Sequence, residues 1–358
     1  MVGKMILNSV EWKEFKVKEL FETYILSNGV QVPTGAYIRK ENLFPGSIPR
    51  ITVRDTNNGI DGFYNTDDSN YREYSNFISV SFLGSVFYHP YTASLDMKVH
   101  ALILKERKLT LGIAKFLIMS IKNNTSHSSY GNQLSSTDLP NMKIILPIDE
   151  NGQPNYRFME KYINQSEIEM KSRSIEYMKK ELSRIKFDSS LEMLSHKEWK
   201  EFFLVDIFKY IKRGKRLTKK NQKSGDIPYV SSSSLNNGVD NFICNEKGVR
   251  KFNNCLSVAN SGSVGCCFYE PFEYVASDHV TCLKNENMNK YIYLFLSALI
   301  SRLKEKYNFN REINDSRILR EKVLLPVNKV GDPDYKYMEQ YIKNIEYQKI
   351  NRYLTLSK

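Results

Sequence analysis

Apolar and polar positions alternate along the chain in short blocks, and the blocks recur. IPRITV (Ile48–Val53), ISVSF (Ile78–Phe82) and VHALILK (Val99–Lys105) are apolar runs between Gly, Asn and Asp turns, a pattern that predicts short strands. IPYVSS (Ile227–Ser232), LSVAN (Leu256–Asn260) and VTCLK (Val280–Lys284) repeat it later in the chain. Each set leads into one helix, Leu111–Asn123 with Thr110 as its N-cap, and Asn289–Tyr307. A strand ending in Leu-Pro comes next, at Ile144–Pro147 and Val323–Pro326. Behind Pro154 and Pro333, Asn155 and Asp334 are N-caps for a long polar helix. In the first such helix Ile168, Ile175, Met178, Leu182 and Ile185 are spaced seven, three, four and three, a coiled-coil seam on a highly charged surface. From Asn155 to Lys186 that helix would be about 45–50 Å long. In the second, Met338, Ile342 and Ile345 start the same seam, which Ile350 and Tyr353 continue loosely. Neither helix can bury its own seam, so the two are expected to pack on one another, antiparallel.

The recurrence is a duplication. EWKEF stands at Glu11–Phe15 and again at Glu198–Phe202, and takes the chain's only two tryptophans, Trp12 and Trp199. The separation is 187 residues there, 179 between IPRITVRDTNNGIDGF and IPYVSSSSLNNGVDNF, 178 between ISVSFLGSV and LSVANSGSV, and 179 between LPIDENGQPNYRFMEKYI and LPVNKVGDPDYKYMEQYI. Four blocks in one order at nearly constant spacing exclude coincidence. About eight extra residues lie between the first two blocks of the first copy, a difference that loops absorb cheaply. NNG in both copies signals a tight turn. The fold class expected is α+β: two similar mixed α/β domains joined by two long helices packed as an antiparallel coiled coil, with pseudo-two-fold symmetry.

Composition narrows the function. The chain has 358 residues, room for more than one core, and its 52 Lys and Arg exceed its 40 Asp and Glu to give +12. That excess favours a polyanionic partner, nucleic acid first, although an AT-rich genome produces a Lys- and Asn-rich chain as well. MVGKMILNSVEW lacks the apolar run of a secretory signal, and no stretch approaches the ~20 apolar residues of a membrane span. Leu117–Ile121 and Tyr291–Ile300 read as buried helix. Cys244, Cys255, Cys266, Cys267 and Cys282 are odd in number and lack CxxC spacing, so reduced, mostly buried thiols and a cytoplasmic location are expected. His89, His100, His127, His196 and His279 are scattered, which argues against a metal site.

The duplicated order resembles the DNA-specificity subunits of Type I restriction–modification systems and their Type IIB-like relatives. The resemblance rests on the W-x-x-F opening followed by a glycine (Glu11–Gly29, Glu198–Gly214), the Ile-Pro strand, ASDHV at Ala276–Val280 and the Leu-Pro strand leading into a long helix. It covers nearly the whole chain. The first copy has SLDMKVHAL where the second has ASDHVTCL, as expected of domains that read different half-sites. The resemblance implies target-recognition domains at 1–154 and 191–333, and spacer helices at 155–190 and 334–358. It implies a chain without catalysis of its own that binds a bipartite double-stranded DNA target. The helices would set the spacing and dock an adenine methyltransferase subunit using S-adenosylmethionine, with or without a restriction subunit.

Two rival readings are a stand-alone DNA-modifying enzyme, methyltransferase or nuclease, and a non-catalytic adaptor scaffold. DPDY (Asp332–Tyr335) differs by one letter from the DPPY motif of amino-methyltransferases, but its duplicate is QPNY (Gln153–Tyr156) and no strand–GxG–helix unit precedes either. GSVG (Gly262–Gly265) lacks the Lys-Ser/Thr ending of a phosphate loop and reads as a hairpin.

DNA reading needs cations for phosphates and amide, guanidinium or hydroxyl groups for base edges. The densest basic stretch, Lys209–Lys223, offers Lys212, Arg213, Lys215, Arg216, Lys219 and Lys220; its counterpart in the first copy offers Arg39 and Lys40. After the Ile-Pro strands come Arg50, Arg54, Asn57 and Asn58 in one copy, and Ser231, Ser232, Ser233, Ser234, Asn236 and Asn237 in the other. The polar loops Tyr130–Asp138 and Tyr307–Asp315 add Asn132, Gln133, Asn308, Asn310 and Arg311.

Overall fold

The computed structural model describes residues 7–357 except 28, 126, 127, 129 and 130, so Tyr130 and His127 lie outside the described residues. It divides into two compact units, Met1–Ser174 and Ile175–Lys358. The first contains β1 (Trp12–Lys16), α1 (Val17–Leu20), β2 (Tyr24–Leu26), β3 (Gly29–Gln31), β4 (Phe44–Ile51), β5 (Ile60–Asn65), β6 (Glu73–Ser81), β7 (Val86–Leu95), β8 (Val99–Leu102), α2 (Leu111–Thr125) and β9 (Lys143–Pro147). It also holds the start of α3 (Tyr156–Arg184). The second contains β10 (Trp199–Phe203), α4 (Leu204–Ile207), β11 (Tyr210–Arg213), β12 (Ser224–Val230), β13 (Val239–Ile243), β14 (Lys251–Phe252), β15 (Cys255–Ala259), β16 (Cys267–Glu270), β17 (Tyr274–Ala276), β18 (Val280–Lys284), α5 (Lys290–Ile300), α6 (Asp315–Ile318), β19 (Lys322–Pro326) and α7 (Tyr335–Leu356).

In the first unit five strands form one sheet in the order β5-β4-β7-β6-β8, and α2 lies on it. Ile78, Val80 and Leu102 from the sheet meet Ile113, Leu117 and Ile121 from α2, all buried, each burial being worth about 1.5–3 kcal/mol. Trp12–Phe15 of EWKEF lie in β1, paired antiparallel with the Leu-Pro strand β9, Trp12 opposite Pro147 and Phe15 opposite Ile144. The second unit repeats this with β10 on β19, Trp199 opposite Pro326. Alternation then sorts the side chains, so Ile144 and Leu146 are buried while Ile145 between them is exposed.

Each tryptophan begins an aromatic ladder. Trp12 stacks on Phe116 of α2 at 6.1 Å, Phe116 meets Tyr162 of α3 edge-on at 6.1 Å, and Tyr162 stacks on Phe158 at 6.0 Å. Trp199, Phe295, Tyr341 and Tyr337 repeat it at 6.4, 5.8 and 6.0 Å, the middle contact again edge-on. The predicted N-caps are in place: Asn155 accepts from the Phe158 amide, Asp334 from the Tyr337 amide and Thr110 from the Ile113 amide.

The eight extra residues are the β2–β3 hairpin. The glycine equivalent to Gly214 is therefore Gly35 rather than Gly29. The amides of Gly35 and Gly214 donate to Val99 and Val280, and a Cβ on either would lie 2.2 Å from a backbone carbonyl, of Asp96 or of Ser277. Pro33, with no amide proton, stands where β11 has Lys212. Strand β12 ends at Val230, so the four serines leave the sheet and form a loop. NNG is a run of three left-handed residues in both copies, φ 50°, 55° and 76° at Asn57–Gly59 and 49°, 53° and 81° at Asn236–Gly238, a conformation asparagine tolerates and β-branched residues do not. Asn76 and Asn254, also left-handed, mark one shared irregularity. The first unit's sheet continues through it, whereas strands β14 and β15 part there into two four-stranded sheets, β13-β12-β17-β14 and β11-β18-β15-β16. All five cysteines are free thiols, and Cys255, Cys267 and Cys282 are buried.

A buried polar pair has diverged between the copies. Ser79 Oγ lies 2.8 Å from His89 Nε2, and at the matching place Ser257 Oγ donates to Glu270 Oε1 at 2.9 Å. Burial holds His89 down at about 4 and raises Glu270 to about 7. As pH falls from the ordinary histidine value of 6.5 toward 4, the unfolded chain binds a proton that folded His89 refuses, and the first unit loses stability. As pH rises from 4.5 through 7, the unfolded chain releases a proton that folded Glu270 keeps, and the second unit loses stability. Calorimetry of the whole chain at acid and alkaline pH should show the two units shifting in opposite directions, with Glu270→Gln removing the alkaline loss. A shared pH trend for both would contradict the assignment.

Candidate nucleic-acid interface

Five loops of the second unit are bonded together in a circuit. Gly214 lets the loop after β11 lie against the β17–β18 turn, where the Lys215 amide donates to Ala276 O at 3.1 Å. The Ser277 amide donates to Val230 O at 2.9 Å, which brings in the serine loop. From there the Ser263 amide reaches Ser232 O at 3.0 Å, and the Ile313 amide reaches Asn260 O at 2.9 Å. Arg213 closes the circuit, its Nη2 donating to Ile313 O at 3.1 Å.

The predicted cations divide into two groups. Lys212, Lys215, Arg216, Lys219 and Lys220 are exposed and form no ion pair among the described residues. Arg213 braces the loops, bonded to Ile313 and 3.1 Å from Asp315. Arg50 is largely buried and pairs with Asp96 at 2.8 Å, holding β4 to the end of β7. Arg54 pairs with Asp61 at 2.5 Å but stays over half exposed; Arg39, 3.8 Å from Glu41, and Lys40 are exposed.

The polar candidates divide similarly. Asn58 is half-buried and donates to Tyr88 O at 3.2 Å, and Asn57 donates to Ile60 O at 3.3 Å, so both brace the left-handed turn. Asn236 and Asn237, at the same turn, are exposed. The Ser231 amide donates to Gly238 O and Ser233 Oγ accepts from the Leu235 amide, while Ser234 is exposed. Asn308 and Arg311 exchange backbone bonds of 3.3 and 2.9 Å across a tight turn, and Asn310 stands exposed at its tip. Asn132 and Gln133 are exposed in the equivalent loop, which the Leu134 amide ties to Phe82 O just as Ile313 is tied to Asn260. A cavity of about 520 Å³ lined by Arg54, Asp55, Ser85, Lys122 and Thr125 opens beside β4 and α2.

One residue on this face had no signal beyond its motif. His279 is exposed in the β17–β18 turn, its Nδ1 2.5 Å from Ser261 Oγ. The exposed Lys98 holds its position in the first copy.

The helix residues are placed unevenly. Ile168 is 66% exposed, Ile175, Met178 and Leu182 are half-buried, and Ile185 is buried just beyond α3. Met338 lies in the core of its own domain with Ile342 packed against that core, so these two are corrected from seam to core, and Ile345 is half-buried. The motifs of the enzyme reading are structural: Asp334 caps α7 and pairs with Lys197 at 3.0 Å, and Gly262–Gly265 turns between β15 and β16. Among the described residues no three His, Cys, Asp or Glu side chains are grouped as a metal would need, and no helix is long and apolar enough to cross a membrane.

Two copies of one mixed α/β domain, each presenting polar and basic loops and leading into a long helix, define a DNA-specificity protein. The model of the Type I restriction modification DNA specificity domain matches residues 9–177 and again 196–355, and the chain belongs to that family. It is a specificity subunit of a restriction–modification system, the non-catalytic component. It is 30% identical over 354 residues to the Type II restriction enzyme BgcI specificity subunit of Heyndrickxia coagulans, covering 96% of this chain and 97% of that one. Among solved structures, the Type I S subunit of M. genitalium is 18% identical with a TM-score of 0.49, covering 99% of this chain and 96% of that one. The HsdS subunit of Thermoanaerobacter tengcongensis is 10% identical with a TM-score of 0.32, covering 96% and 90%.

Aligned on Gly35 and Gly214, the five unpaired cations face Pro33, Ala36, Tyr37, Lys40 and Glu41, whose charges cancel. Replacing Lys212, Lys215, Arg216, Lys219 and Lys220 by alanine should flatten the salt dependence of DNA binding, by roughly 0.9 in log–log slope for each phosphate left without its cation. Replacing the five counterparts should leave the slope almost unchanged. Equal slopes for wild type and the five-alanine variant would exclude these residues from the interface.

Proposed function

We propose that the chain reads a bipartite double-stranded DNA target, with residues 1–154 and 191–333 each recognising one half-site. The observation that carries this reading is the same core built twice beneath loops that share position but not side chains. Segments 155–190 and 334–358, built on α3 and α7, act as spacers, packed antiparallel about a pseudo-two-fold axis. The course of the segment after α3 supports that arrangement. Phe187 stacks on Tyr347 at 4.9 Å, the Asn344 side chain brackets the backbone of Asp188, and the Tyr337 hydroxyl donates to Glu192 O, so this segment travels toward the start of α7. The partners are an adenine methyltransferase subunit that supplies S-adenosylmethionine chemistry and, in a complete system, a restriction subunit, acting in the cytoplasm. Exchange of Glu11–Pro147 for another recognition domain should change one half of the methylated motif in a host methylome and leave the other half intact. Change in both halves, or no bipartite motif lost on deleting the gene, would refute the reading.

A further inference from the structure

The loop between α5 and α6 carries an aromatic ring that nothing in its own domain covers. Phe309 is 78% exposed and belongs to none of the buried clusters, yet its backbone is held on both sides. Asn308 and Arg311 close a two-residue turn around Phe309 and Asn310, and Asn308 Oδ1 accepts from the Asn310 amide at 3.0 Å. Before the turn, buried Tyr307 donates its hydroxyl to Glu321, and the Arg311 guanidinium lies 5.4 Å from the Tyr307 ring centre. After it, fully buried Ile313 is bonded to Asn260 and Arg213. The ring therefore projects from a fixed mount, bonded to the β15–β16 turn and to Arg213 at the head of the loop that carries the unpaired cations.

We propose that Phe309 stacks on a base of the second half-site, as a wedge at one base step. The proposal rests on the DNA-reading assignment above and adds a contact to it. A protein partner would call for a contiguous apolar patch, whereas this ring is flanked by Asn308, Asn310 and Arg311. A lone aromatic side chain among amide and guanidinium donors fits an unstacked base, whose faces are apolar and whose edges and phosphates are polar. The internal duplicate agrees at the level of sequence. Counting back four residues from Ile313 gives Phe309, and from its counterpart Leu134 gives Tyr130, an aromatic residue in a loop otherwise rewritten.

The test uses the complex with its methyltransferase subunit and duplexes carrying 2-aminopurine at successive positions of the second half-site. Wild type should raise the fluorescence several-fold at one step. Phe309→Ala should abolish the rise, and Phe309→Trp should keep it. Phe309→Ala should also weaken specific binding roughly 5- to 150-fold, the ratio equivalent to ~1–3 kcal/mol of base stacking, with an unchanged melting temperature and salt slope. Tight specific binding by wild type with no rise at any position, or by Phe309→Ala with full affinity, overturns the wedge and leaves the DNA-reading assignment standing. Failure of wild type to prefer the specific duplex over a scrambled one overturns both.

Discussion

The aromatic ladder from Trp12 to Phe158, and its repeat from Trp199 to Tyr337, is the contact on which the rest of the architecture depends. It joins three elements far apart in sequence: the opening strand, the helix on the sheet and the first turns of the long helix. Beyond those turns no further residue of α3 is buried, whereas α7 stays against its domain, with Ile342 on the core and Lys343 over the Tyr291 ring. The fully buried residues of α3 are Phe158 and Met159, and those of α7 are Tyr337 and Met338. A helix so polar has no hydrophobic reason to leave its domain in one direction rather than another, and edge-on and stacked rings supply that direction.

Around this shared frame the two copies differ where the frame does not constrain them. Gly35 and Gly214 are both required by a carbonyl that leaves no room for a Cβ, and NNG recurs because three left-handed residues admit few alternatives. The loops those residues launch carry opposite characters, five free cations in one copy and a cancelling set in the other. In the interior, the histidine of one copy and the glutamate of the other show that the frame tolerates a change of charge type beside a serine. Burial favours the uncharged form of both, holding His89 down at about 4 and raising Glu270 to about 7.

Much of this was legible in the sequence because repetition doubled every weak signal. Block order exposed the duplication, and the caps Asn155 and Asp334 located the starts of the long helices to within a residue. Periodicity did not reveal that EWKEF is a strand, since its partner lies more than 120 residues away and only pairing with the Leu-Pro strand explains its alternation. Nor did residue type show which side chains brace the fold. Arg50 and Arg213 have the chemistry of base contacts, and only the positions of Asp96, Ile313 and Asp315 show them engaged inside the fold. Met338 and Ile342 followed the seam spacing faithfully, but a helix's first turns belong to whatever it springs from.

The ladder also has a mechanical consequence. Helix α3 continues for 29 residues, about 43 Å, while its grip on the first domain is confined to its base. Any play at the mount is magnified along the helix: a tilt of about 5° at the root moves a point about 43 Å away by about 4 Å, the rise of two to three residues. Rings that interlock face to edge resist such rocking better than flexible aliphatic chains would, so four side chains set how firmly the root of the helix is held.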